Sequence, residues 1–270
     1  MRPLHTFPMD RRRQIRGVFF DIDDTLSTDG KLTAEAYGAL AALQAAGLIT
    51  VPITGRPAGW CDHIARMWPV DGVVGENGAF YFRYEPRIKR LSKRFVASRL
   101  EREQNRERLQ ALRIRILEAV PSADVASDQP YREADLAIDI CEDVPALSEA
   151  EIERVMALFE EAGARAKRSS VHVNGWFGAY DKLSTTKRLM RDVFDIDLDK
   201  DQADFVFVGD SPNDSPMFGF FDYAVGVANI AAFVGQIEHA PNYVTEQPCG
   251  AGFRELADAL LVAPTAHQSG

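Results

Sequence analysis

Three carboxylates, Asp21, Asp23 and Asp24, follow directly on an apolar run in the stretch GVFFDIDDTLSTDGKL. Such a run reads as a buried strand, and acids at its end face both desolvation and mutual repulsion, so the cluster points to a metal ion or a catalytic task. Other reactive residues leave the ends of other apolar runs. Thr54 and Gly55 follow LITVPI, and Asp210 follows DFVFVG with Asn213 and Asp214 close behind. Lys182 stands just before LSTTKRLMRDVF.

A carboxylate can attack phosphorus to give an aspartyl phosphate, and a second one across the reacting centre can protonate a leaving alkoxide. Asp21 and Asp23 suit these tasks. In an extended segment they project to one side, and an immediate turn swings Asp23 over the leaving group with its carbonyl toward a metal. The Thr54 hydroxyl and the Lys182 ammonium suit phosphoryl oxygens. Magnesium accounts for the remaining acids, because it takes hard oxygen ligands and binds through one or two carboxylates plus a substrate phosphate. Asp21 and Asp210 are the expected direct ligands. A calcium loop is the rival reading of DIDDTLSTDGKL; it fails because Leu26 and Leu32 stand where such a loop needs glycine and glutamate.

These residues need a scaffold, and the chain has the length for one. Its 270 residues, 46% hydrophobic and 26% charged, describe a globular protein with one large domain or two smaller ones. A net charge of -9 argues against a nucleic-acid partner, so an anionic substrate must be met by local positive groups. Three separated cysteines, Cys61, Cys141 and Cys249, suit neither a disulfide framework nor a zinc ribbon and fit a reducing cytoplasm. No apolar run approaches a membrane span, and the N-terminal MRPLHTFPMDRRRQIRG lacks the apolar stretch of a signal peptide. Residues 1–13 read as a solvated basic tail.

Periodicity supplies the elements. GVFFDID and LITVPIT read as buried strands, TAEAYGALAALQAAG as a helix between Thr33 and Gly47 caps, and PAGWCDHIARMW as a second helix. Within that helix Trp60, Cys61 and His63 are expected to pack in the core. DGVVGENGAFYFRY reads as a strand entering a hairpin at Asn77-Gly78. This βαβα order implies a parallel sheet. From about residue 84 the texture changes to a long charged helix over 98–120, a strand in ADLAIDI, a helix with Ser148 and Glu151 at capping-box spacing, and one or two strands in ARAKRSSVHVNGWF. The βα rhythm returns after Lys182. The expected fold is therefore α/β, a Rossmann-like parallel-sheet core over residues 14–83 and 179–263 with an inserted α+β unit over 84–178. Ligands of such sheets bind at the carboxyl ends of the strands, where the reactive residues emerge.

The chain resembles the haloacid dehalogenase superfamily. Four signatures stand in order: DIDDT at 21–25, ITGR at 53–56, Lys182, and GDSPND at 209–214. GENGA at 75–79 with the large insert further resembles the Cof-like, subfamily IIB branch, whose members carry a C2-type cap. The resemblance implies a magnesium-dependent phosphatase acting on a small phosphorylated metabolite, often a sugar phosphate. It implies Asp21 as nucleophile and Asp23 as general acid and base, with Thr54, Gly55, Lys182 and Asn213 on the phosphoryl group. Asp21, the Asp23 carbonyl, Asp210 and Asp214 would serve magnesium. Leu183 departs from the glycine of many relatives, and Lys187 competes for the third signature; Lys182 is favoured because it precedes the helix. Arg56, His172, Asn174 and Trp176 are candidates for substrate contact, with bracing and packing as the competing readings. A phosphomutase and a catalytically idle metabolite-binding module are the alternatives in function.

Overall fold

The computed structural model describes residues 1–261, so the last two residues expected in the core, 262 and 263, lie outside the described part. Gly17–Phe20 is an interior strand with every residue buried. The sheet order is Arg2–Pro3, Tyr243–Val244, Tyr223–Gly226, Phe205–Gly209, Gly17–Phe20, Ile49–Pro52, and each pair is parallel. Parallel strands are covered on both faces, which is why these segments read as continuous apolar runs. Val18, Phe20, Val206 and Val208 pack against the helices Ala34–Ala45 and Cys249–Leu261. Phe19, Phe205 and Phe207 point the other way, toward Leu189 and Met190 of the helix Lys182–Phe194. Thr33 opens the helix Ala34–Ala45 by accepting the Ala36 N–H at 3.2 Å.

The N-terminal segment differs from the expected solvated tail. Arg2–Pro3 extends the sheet beside Tyr243–Val244, and Leu4 and Phe7 are buried in the core. Phe7 stacks on Tyr223 and Tyr243 with ring centroids 4.8 and 5.0 Å away. Arg2 and Arg12 lie over the rings of Tyr243 and Phe7. Two apolar anchors in an arginine-rich stretch are enough to dock it, and the arginine stems cover the aromatic surface.

Val73–Gly75 meets the parallel sheet through a bridge between Ile53 and Val74, then pairs antiparallel with Phe80–Glu85. The expected hairpin turns through Glu76–Gly78, where Glu76 and Asn77 adopt left-handed φ of 43° and 52°. A third strand, Arg90–Phe95, pairs with Phe80–Glu85. Its sequence RLSKRF is too charged to signal a strand, and the change of texture at residue 84 falls inside this sheet.

The following segment builds an antiparallel sheet ordered Asp124–Val125, Asp135–Asp139, His172–Trp176, Arg165–Arg168. Capping boxes at Ser98 with Glu101 and Ser148 with Glu151 start the helices Arg99–Ala119 and Glu149–Glu161. Both helices cover one face, where Ile116, Val155 and Phe159 meet Ile138 and Val173. At Gly175 a Cβ would lie 2.0 Å from the Phe159 ring, so only glycine lets helix and strand approach this closely. Side chains alternate along a strand, so His172, Asn174 and Trp176 take the opposite face, toward the parallel sheet.

The docked N-terminus has a measurable consequence. Phe7→Ala should lower unfolding free energy by roughly 3–5 kcal/mol, the usual cost of truncating a buried phenylalanine. Urea denaturation tests this, because a residue in a solvated tail would change stability by less than about 0.5 kcal/mol.

Candidate active site

Asp21, Thr54 and Asp210 leave the carboxyl ends of three parallel strands, and short turns bring the others to them. The Asp21 N–H continues the sheet pattern to Val208 O at 3.0 Å, while its Oδ1 accepts the Ile22 N–H at 2.9 Å. Beyond Asp23 the chain turns through a left-handed Asp24, φ 53°. Asp214 sits in the turn Pro212–Asp214 and folds back on its own strand: its Oδ2 accepts the N–H groups of Asp210 and Ser211 at 3.1 and 3.4 Å. A Cβ at Gly209 would lie 2.3 Å from that oxygen, which requires glycine there. Lys182 is the first residue of its helix; its Nζ lies 2.8 Å from Asp214 Oδ1 and 3.3 Å from Asp21 Oδ2. Lys187, five residues on and so about 140° around the helix, instead pairs with Asp199 at 2.5 Å.

The result is a buried cluster in which oxygens of Asp21, Asp210 and Asp214 lie within 4.8 Å of one another. Asp210 Oδ1 accepts the Thr25 hydroxyl at 2.9 Å, but its Oδ2 is buried with no partner among the described residues. Burial pushes the Asp21 carboxyl up to about 8, with Asp214 and Asp23 adding to the rise and Lys182 opposing it. Burial, with the Asp214 and Asp21 charges, also raises Asp210 well above the usual carboxylate range. Burial disfavours the Lys182 ammonium, yet Asp21 and Asp214 outweigh burial and hold it protonated. Three carboxylates face one ammonium, so the site has room for two more positive charges. The all-oxygen donor set and the orphaned Asp210 Oδ2 fit a hard divalent cation.

Asp23 contributes no carboxylate oxygen to this cluster. Arg56 Nε lies 3.0 and 2.9 Å from its two oxygens, and Arg56 Nη2 donates to Oδ1 at 2.8 Å. The same guanidinium reaches across to Glu142 at 2.6 and 3.3 Å and to Asp128 at 3.4 Å. Glu142 Oε2 in turn lies 2.8 Å from His172 Nε2. The approach of His172 draws the Glu142 carboxyl down to about 2, against partial burial and with help from Arg56. Two further groups tie the sheets together. Arg132 donates to Gly55 O at 2.8 Å while pairing with Asp128 and Asp135, and the buried Glu76 carboxylate accepts the N–H groups of Ala58, Glu133 and Ala134. Asp128, Arg132 and Glu142 carry no sequence signal, since they lie in a segment without a motif. Glu76 stood in plain view within GENGA.

The remaining expected residues divide. Thr54 is buried and its Oγ1 accepts the Arg56 N–H at 3.0 Å. Around Gly55, a Cβ would meet Asn77 Nδ2 at 3.2 Å and Asn174 Oδ1 at 3.5 Å, so backbone and amides converge there. Asn213 Nδ2 lies 3.5 Å from Asn77 Oδ1. Asn174 donates to Asp135 at 2.9 Å, and Trp176 donates to Tyr180 O at 3.3 Å and stacks on the Tyr180 ring. Trp60 and His63 depart from the expected core packing. Only Cys61 of the three is buried, because the helical period turns Ala58, Cys61, Ile64 and Ala65 inward and the others out. Trp60 lies under the Arg56 guanidinium, 4.5 Å from its ring centroid.

Residues 18–110 match the family described as haloacid dehalogenase-like hydrolase. No curated protein matches the chain in sequence. Among solved structures, a Thermoplasma acidophilum protein is 18% identical with a TM-score of 0.69, covering 92% of this chain and 99% of that one. The sucrose-phosphatase of Synechocystis is 17% identical with a TM-score of 0.61, covering 92% and 98%. A sugar phosphatase of haloacid dehalogenase subclass IIB is 16% identical with a TM-score of 0.61, covering 92% and 98%. Likeness at these identities concerns the fold. The matched segment holds the turns that carry Asp21, Asp23, Thr54 and Arg56, and the fold over most of the chain is that of these solved structures.

Proposed function

We propose that the protein is a magnesium-dependent phosphatase acting on a small phosphorylated metabolite, with a sugar phosphate favoured by the sugar phosphatases among its structural neighbours. The observation that carries this reading is the buried oxygen cluster of Asp21, Asp210 and Asp214 beside Lys182, with Asp210 Oδ2 left unpaired. Asp21 attacks phosphorus and becomes the aspartyl phosphate. Lys182, the Thr54 hydroxyl, the Gly55 N–H and Asn213 receive the phosphoryl oxygens. Asp21, Asp210 and Asp214, with the Asp23 carbonyl, would hold magnesium, which when bound neutralises charge on nucleophile and phosphate.

Asp23 protonates the leaving oxygen and then takes a proton from the attacking water. The Arg56 guanidinium occupies both Asp23 oxygens, so neither is free to meet the leaving oxygen. Arg56 therefore releases Asp23 when substrate binds, and Glu142 and Asp128 remain to hold the displaced guanidinium. Residues 84–178 act as a lid over the core of residues 14–83 and 179–263, excluding water and supplying selectivity. Three free cysteines suit a reducing cytoplasm, and no helix among the described residues is long and apolar enough to cross a membrane.

Hydrolysis of p-nitrophenyl phosphate with magnesium is the direct test. Asp21→Asn should abolish it with the circular dichroism spectrum unchanged, since an amide cannot form the acyl phosphate. Near-normal turnover in that variant would remove Asp21 from the nucleophile role.

Asp23→Asn should slow alkyl phosphates by roughly 10²- to 10⁴-fold and p-nitrophenyl phosphate much less, because a good leaving group needs little protonation. Equal losses on both esters would contradict the assignment.

Magnesium should raise the melting temperature in a concentration-dependent way, by about 2.7 kcal/mol of stability at a hundredfold excess over Kd, and EDTA should reverse it. Asp210→Asn should abolish that response; a variant still stabilised by magnesium would place the ion elsewhere.

A further inference from the structure

The face that the antiparallel sheet turns toward the strand ends carries two cations without a charge partner among the described residues. Trp176 pairs across from Arg165 and Asn174 from Lys167, and directly opposed residues share one face of a sheet. Arg165 and Lys167 thus stand beside Asn174 and Trp176, while Ala166 between them packs into the opposite core. Both are exposed, and neither forms an ion pair or side-chain hydrogen bond among the described residues. Their neighbour Arg168, on the other face, is paired with Glu149 at 2.5 Å.

A cavity of about 380 Å³ connects these two cations to Lys182, Asn213 and Asn77 at the reaction site. Asn77 is 2% exposed, and its Nδ2 has no acceptor among the described residues. At one end, then, are the proposed phosphoryl contacts and a buried amide donor without a partner; at the other are two free cations. Two carboxylates share the wall. Asp181 caps its helix by accepting the Ser184 N–H at 2.7 Å, which leaves Glu160 against two positive charges. Charge on an edge strand also discourages strand pairing, but that purpose sets no requirement that the side chains face the reaction site. In a chain of net charge -9, a pair of cations aimed into one cavity is a selective feature.

We infer that the leaving group of the substrate carries a second anionic group, a carboxylate or another phosphoryl group, received by Arg165 and Lys167, with the Asn77 amide donating to the substrate between the two ends. The inference rests on the phosphatase reading. It is tested by kcat/KM on two pairs of esters differing in that group: 3-phosphoglycerate against glycerol 3-phosphate, and fructose 1,6-bisphosphate against fructose 6-phosphate. The wild-type protein should prefer the doubly acidic member of at least one pair by roughly tenfold or more, as expected of a charge-assisted hydrogen bond. The pair that shows it tells carboxylate from phosphoryl. The double variant Arg165→Gln, Lys167→Gln should bring that ratio close to one, and Lys167→Arg should retain it. If p-nitrophenyl phosphate is hydrolysed but neither pair shows a preference, or the double variant keeps it, the inference is wrong and the phosphatase reading stands. If no ester is hydrolysed with magnesium, both fall.

Discussion

Unbalanced buried charge is the constraint around which this molecule is arranged. Asp21, Asp210 and Asp214 are buried in a space that, among the described residues, Lys182 alone partly neutralises. Main-chain donors hold the acids in place: Ile22 N–H on Asp21, and the Asp210 and Ser211 N–H groups on Asp214. These donors exist because strands of a parallel sheet end together and the chain turns sharply after each, leaving N–H groups that the sheet does not use. Residual negative charge is then tolerable only if a cation shares the site or a carboxyl stays protonated, and burial raises Asp21 and Asp210 in that direction. A divalent ion bound there would resolve the conflict and lower the barrier to an anionic substrate.

A second set of charges joins the two sheets. Arg56 stands on the turn after a parallel strand yet contacts Glu142 and Asp128 from the inserted segment, and Arg132 from that segment reaches back to Gly55 O. Buried ion pairs add little net stability against a hydrophobic alternative, because desolvation offsets attraction. They are exacting about geometry, however, and here that geometry includes both oxygens of Asp23. Such pairs can part without exposing a large apolar surface, and the guanidinium that joins the two sheets is the one that holds Asp23. Arg56 is committed to acids on the Asp23 side, whereas Arg165 and Lys167 line a separate cavity and are unpaired among the described residues.

Much of the core could be read along the chain. Gly17–Phe20 and Phe205–Gly209 are apolar throughout because both faces are covered, and each is followed at once by an aspartate at the end where ligands bind; Ile49–Pro52 carries one threonine and reaches Thr54 through Ile53. Local signals of that kind, together with caps such as Thr33 and Ser148, depend on a few neighbouring residues and survive in one dimension. Lys182 is favoured over Lys187 in the sequence for preceding the helix; it is in fact the helix's first residue and lies beside Asp21 and Asp214, while Lys187 pairs with Asp199. What sequence order did not contain was any contact between distant segments that lack a pattern. Leu4 and Phe7 dock because Tyr223 and Tyr243 happen to offer ring faces, and RLSKRF is a strand because Phe80–Glu85 presents an edge to it. Glu142, Asp128 and Arg132 acquire meaning only opposite Arg56 and Gly55, 72 to 86 residues away in the chain. An ion pair needs two charges within a few ångströms, and a sequence records the charges without the distance.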